Sequence, residues 1–86
     1  MFVILTYDIN AKRVAKVMKV CRRYLTHVQK SVFEGMLTEG QLNKLKKELK
    51  KQMVVQEDAC CIYEFSSLKY TRKELIGAND APDNII

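Results

Sequence analysis

The stretch Phe2-Val3-Ile4-Leu5-Thr6-Tyr7-Asp8 decides the fold. It is rich in β-branched and aromatic residues, it is too short for a globular helix, and it stops at a carboxylate. Successive side chains of a strand point to opposite faces. Here both sets are apolar, so the stretch is predicted to be a central strand covered on both sides.

The pattern then changes period. Val14, Val17, Met18, Cys21 and Leu25 fall on one face of a helix predicted over residues 11–25, with Asn10 as its N-cap. Lys12, Lys16, Lys19 and Arg23 fall on another face, at spacings of four, three and four. From His27 to Leu37 the pattern is extended again and is read as a hairpin turning at Lys30-Ser31. Thr38 and Gln41 have the form of a capping box. The helix they open places Leu42, Leu45, Leu49 and Met53 inward and Lys44, Lys47 and Lys51 outward. Gln56-Glu57-Asp58 is a polar break before a second two-faced strand, Ala59 to Phe65. Ser66-Ser67 bends the chain, and Tyr70 to Gly77 reads as a charged edge strand.

This order, β-α-β-β-α-β plus a C-terminal strand, is the split-βαβ, ferredoxin-like plan of an α+β sandwich. Two helices cover one face of its antiparallel sheet. The other face is left open although its strands are apolar, which predicts a symmetric homodimer packed sheet against sheet. The expected domain is residues 1–77, followed by a loose tail over 78–86 that holds Asn79, Asp80, Pro82, Asp83 and Asn84.

At 86 residues there is room for one domain, and a core this thin favours burial against a partner. The longest apolar run, Phe2 to Leu5, is far too short to span a bilayer, and no basic and apolar leader precedes it. Cys21, Cys60 and Cys61 are odd in number and lack a C-x-x-C spacing, which argues against disulfides and zinc and for core thiols in a reducing cytoplasm. The net charge is +5, and its distribution says more than its sum. No acidic residue occurs between Asp8 and Glu34, whereas Lys12, Arg13, Lys16, Lys19, Arg22, Arg23 and Lys30 do. A stripe of one sign attracts polyanions, above all the nucleic-acid backbone.

Asp8 is the residue with the most chemistry in it. Alternation places it on the same sheet face as Phe2, Ile4 and Thr6. It reads equally well as a helix-entry cap or as a magnesium ligand. Magnesium takes one or two carboxylates and completes its shell with water and substrate phosphates. A two-fold dimer would bring a second Asp8 to such a site. A single histidine, His27, excludes paired-histidine metal sites within one chain, and Gly35, Gly40 and Gly77 form no phosphate-binding loop. Phe33, beside Ser31 and Gly35, reads first as a core or dimer-face residue.

Together, Phe2 to Asp8 with its Tyr7-Asp8 ending, Asn10, the basic helix, Val28-Gln29-Lys30-Ser31-Val32-Phe33-Glu34-Gly35, Thr38-Glu39 with Gln41-Leu42, and Lys73 to Gly77 closely resemble the CRISPR-associated protein 2 family. The resemblance covers residues 1 to 77. It implies a ferredoxin-like homodimer in which the last strand of each protomer pairs with the sheet of the other. It implies a partner, the CRISPR-associated protein 1 integrase, bridged by the dimer during spacer acquisition, with protospacer DNA or RNA bound. It also implies endonuclease activity, on RNA or DNA, dependent on Mg2+ or Mn2+. By that resemblance Asp8 is the metal-binding, catalytic acid, Arg13 the basic residue of the first helix, and Tyr7, Ser31 and Phe33 the other motif residues. The alternative is a toxin-type endoribonuclease of the virulence-associated protein D group, which shares the fold.

Overall fold

The computed structural model describes residues 1–66 and 71–78. The chain runs β1 (Phe2–Asp8), α1 (Val14–Arg22), β2 (Thr26–Gln29), β3 (Val32–Met36), α2 (Glu39–Gln52), β4 (Ala59–Phe65) and β5 (Thr71–Gly77). One antiparallel sheet takes all five strands in the order β2-β3-β1-β4-β5. Without β5, that is the ferredoxin-like order, and β1 is central as its two-faced pattern requires.

Alternation sorts β1 cleanly. Val3 and Leu5 are fully buried under the helices, whereas Phe2, Ile4 and Thr6 are partly covered on the other face and Asp8 is exposed. The ladder carries this sorting across the sheet. Leu5 stands opposite Phe33 and Ile62, and Ile4 opposite Glu34 and Tyr63. Val17, Val20 and Cys21 of α1 and Leu42, Leu45 and Leu49 of α2 close the core over Phe33, Cys60 and Ile62. Burying each such leucine contributes roughly 1.5–3 kcal/mol. The capping box at α2 is present in full: Gln41 N donates to Thr38 Oγ1 at 3.1 Å, and Thr38 N donates to Gln41 Oε1 at 2.8 Å. The turn at Lys30-Ser31 is also where the residues placed it.

Two expectations are corrected. Residues 11–13 form a turn, and the regular helix runs only over Val14–Arg22. The turn is built on Asn10, whose Oδ1 accepts from Lys12 N and whose carbonyl accepts from Arg13 N and Val14 N, so Asn10 caps the turn and not the helix itself. The described part of the last strand, Thr71–Gly77, pairs along one edge with β4 of its own chain over seven residue pairs and forms the outer strand of the sheet. The connection between Phe65 and Thr71 is short, and closing a short hairpin costs little entropy. Ser67, Tyr70 and the predicted tail from Asn79 to Ile86 lie outside the described residues. No helix of the described chain is long and apolar enough to cross a membrane.

Candidate active site and nucleic-acid interface

Asp8 ends β1 opposite Ala59 of β4, on the sheet face turned away from the helices. It is exposed, and among the described residues its side chain makes no hydrogen bond or ion pair. The helix-entry role belongs to Asn10. Around Asp8 this face presents Phe2, Ile4, Thr6, Cys61, Tyr63, Phe65 and Leu75, and Phe2 and Phe65 bring their rings to 6.3 Å. Among the described residues no group of three or more His, Cys, Asp or Glu side chains gathers to hold a metal, so one chain supplies a single carboxylate here.

The loop after Asp8 is held by a second aspartate. Asp58 is fully buried, and its carboxylate accepts from Asn10 N at 2.8 Å, Val54 N at 2.9 Å, Arg13 Nε at 2.7 Å and an Arg13 terminal nitrogen at 3.0 Å. Glu57 takes the same terminal nitrogen of Arg13 at 2.8 Å. The guanidinium hydrogen bond, reinforced by the two amides, holds the Asp58 carboxyl well below the usual carboxylate range, while the two carboxylates raise Arg13. The backbone oxygen of Asp58 accepts from Ala78 N, and Gly77, at φ +100°, passes so close that a Cβ would lie 1.9 Å from that oxygen. One buried residue thus joins the β1–α1 turn, the α2–β4 turn and the end of β5.

Arg13 therefore stands apart from the stripe in which the sequence placed it. Its Nε and one terminal nitrogen are held by Asp58 and Glu57, which turns the guanidinium inward. Arg23 is also engaged, by Glu48, which accepts from the Tyr24 hydroxyl as well. Lys12 in the turn and Lys16 and Lys19 on α1 remain as an exposed row with no ion pair among the described residues.

The remaining motif residues support the scaffold. Phe33 is fully buried, 4.6 Å from the stacked ring of His27 and 6.0 Å from Tyr7. The Tyr7 hydroxyl donates to the Lys30 carbonyl at 3.0 Å, and Tyr7 N donates to the Ser31 carbonyl at 3.2 Å, so both fasten the β2–β3 turn to β1. Burial raises the Tyr7 hydroxyl, which is not poised to give up its proton. All three cysteines are buried and free; Cys21 and Cys60 lie in the core, and Cys61 lies on the open face. Burial pushes Cys21 up to about 12 and raises Cys60 further, so neither offers a thiolate nucleophile. Asp58 escaped the sequence reading. The signal available was a carboxylate placed directly before an apolar strand, where alternation turns neighbouring residues to opposite faces.

The protein is thus a ferredoxin-like α+β sandwich with an unpartnered strand-end carboxylate on one face of its sheet and a basic helix row on the other. Comparison with known proteins makes the class particular: the chain matches the family CRISPR associated protein Cas2 over residues 1–73, and it belongs to that family. The CRISPR-associated endoribonuclease Cas2 of Thermotoga maritima is 42% identical, covering all of this chain and 99% of that protein. The CRISPR-associated endoribonuclease Cas2 2 of Moorella thermoacetica is 43% identical over 96% of this chain and 99% of its own. Among solved structures, one described as the crystal structure of cas2 is 37% identical, with a TM-score of 0.73 over 100% of this chain and 97% of that one. Streptococcus pyogenes Cas2 at pH 6.5 is 32% identical, with a TM-score of 0.70 over 77% and 87%.

Proposed function

We propose that this chain works as a homodimeric, Mg2+-dependent endonuclease that cuts RNA or DNA at Asp8. The observation that carries the reading is that Asp8 is exposed and unpartnered at the end of a central strand while every other demand on a carboxylate nearby is met by Asp58 and Glu57. The names of the relatives, CRISPR-associated endoribonucleases, agree with it.

The open face supports the dimer. Phe2, Ile4, Phe65 and Leu75 are only partly covered there, and Met36 is 70% exposed. Covering them with the same face of a second copy removes apolar surface from water and brings the second copy's carboxylate toward the first. The residues fit a hard cation in that form, because two carboxylates with phosphate oxygens and water are an ordinary magnesium donor set. When bound, Mg2+ supplies Lewis acidity toward a phosphate oxygen and an ionised water as nucleophile. The chain itself contributes the Asp8 oxygens, a rim fixed by the Asn10 turn, and Lys12, Lys16 and Lys19 to draw in the backbone. In the cell we place this dimer in spacer acquisition, bridging the CRISPR-associated protein 1 integrase on protospacer DNA, as the family resemblance implies.

The test is cleavage of labelled RNA and DNA by the purified dimer. Activity is expected with Mg2+ or Mn2+, absent in chelator, and abolished in Asp8→Ala and Asp8→Asn without loss of the dimer. Cleavage that survives both substitutions overturns the assignment. A 10.0 kDa species by light scattering at micromolar concentration overturns the dimer.

A further inference from the structure

The open face of the sheet carries its charge in one row. Glu34 of β3 and Tyr63 of β4 flank Ile4 of β1, and Lys73 of β5 stands opposite Tyr63. Residues paired across an antiparallel ladder share a face, so all four point away from the helices. The next row, Met36, Phe2, Phe65 and Thr71, is uncharged, and so is the row of Val32 and Thr6 on the other side. Apart from Asp8 at the strand end, Glu34 and Lys73 are the charges of this face among the described strand residues.

Glu34 and Lys73 are half-buried, and neither has an ion pair among the described residues. Three strand spacings, about 14 Å, separate their backbones, and Ile4 and Tyr63 stand between them. Covering either charge with apolar surface alone is costly. A second copy of the same face must therefore bring an opposite charge over each of them.

The row meets that demand in one orientation. A two-fold axis parallel to the strands, midway between β1 and β4, reverses the row. Glu34 then lies over the partner's Lys73, Ile4 over the partner's Tyr63, and symmetry forms the second ion pair. The neighbouring row sets Phe2 over the partner's Phe65, an aromatic pair. The same axis keeps both Asp8 residues at one end of the dimer. An axis along the row does the reverse: it sets Glu34 over the partner's Glu34 and Lys73 over the partner's Lys73, and it sends the Asp8 residues to opposite ends. Sheets packed face to face lie about 10 Å apart, a gap that a glutamate and a lysine side chain close between them.

We propose that Glu34 and Lys73 form two symmetric ion pairs across the dimer interface, and that these pairs fix its register with the two-fold axis parallel to the strands between β1 and β4. The inference rests on the homodimer reading above and deepens it. Apolar surface drives association, and the two charges select which sheet-on-sheet arrangement forms.

The experiment follows the full-length chain by sedimentation equilibrium and native mass spectrometry. Glu34→Lys and Lys73→Glu each place two like-charge contacts in the interface and should raise the dimer Kd at least about a hundredfold. The double variant Glu34→Lys/Lys73→Glu restores both pairs with reversed polarity and should dimerise within about tenfold of the parent, which also shows that both substitutions fold. An equimolar mixture of the two single variants should form the heterodimer in preference to either homodimer, because every contact in it is again between opposite charges. Single variants that dimerise like the parent overturn the pairing, as does a double variant no tighter than the singles. A double variant that dimerises while the mixture does not puts the pair inside one chain and also overturns it. Glu34→Gln should weaken the dimer; a tighter dimer would mean that Glu34 faces its own copy and would overturn the axis. A parent chain that is monomeric at micromolar concentration overturns the homodimer reading itself, and the pairing with it.

Discussion

Asp8 and Asp58 sit at the same end of neighbouring strands, one residue apart across the ladder, and meet opposite fates. Asp8 is opposite Ala59, so the two share the open face. Asp58, one residue before Ala59, falls to the helix side and is fully buried with a guanidinium and two backbone amides around it. A buried carboxylate is tolerated only when its oxygens are satisfied, and Asp58 has four such bonds. An exposed carboxylate with none is hydrated and free to take a ligand. The comparison teaches that one step of strand alternation separates a residue that holds the fold from one available for chemistry.

The sharpest way to break the comparison is Asp58→Ala. It strands Asn10 N and Val54 N and leaves Arg13 with Glu57 alone, so a loss of roughly 3 kcal/mol is expected in urea unfolding. A loss under about 1 kcal/mol would mean that Asp58 is not the anchor described. Next comes Gly77→Ala, which forces a side chain into the left-handed region and onto the Asp58 carbonyl. About 2 kcal/mol should be lost, read by the same unfolding curves.

Acid sharpens the contrast further. The carboxyl of Asp58 is lowered in the folded state, while in the unfolded chain it titrates near its ordinary value of about 3.9. Its contribution is therefore complete above about pH 5 and is lost as the pH falls below about 4 towards the depressed folded value, where the unfolded chain binds the extra proton. Asp58→Asn should flatten unfolding free energy against pH in that window. A variant whose acid limb matches the parent's would refute the linkage. The smallest effect belongs to Asp8→Asn, which should change stability by no more than about 0.5 kcal/mol, because nothing among the described residues relies on it. A larger destabilisation would make Asp8 a structural residue.

What the sequence settled by itself was whatever depends on neighbours a few residues apart. Alternation along Phe2–Asp8 and Ala59–Phe65, the leucine spacing of α2, the Thr38–Gln41 capping box and the Lys30-Ser31 turn are all local, and the resemblance of residues 1 to 77 rests on the same local strings. Asp8 was legible for that reason too, since its face follows from counting along one strand. Tertiary structure decided the pairings. Arg13 looked like one more cation of the stripe until Asp58, 45 residues away, drew its guanidinium inward. Glu48 likewise took Arg23 from the stripe, Phe33 became core beneath His27 and Tyr7, and the last strand settled on its own chain's β4. Charge is written in the sequence, but whether a charge is spent or free depends on which opposite charge the fold brings within a few ångströms, and chain-distant contacts leave no local period to read.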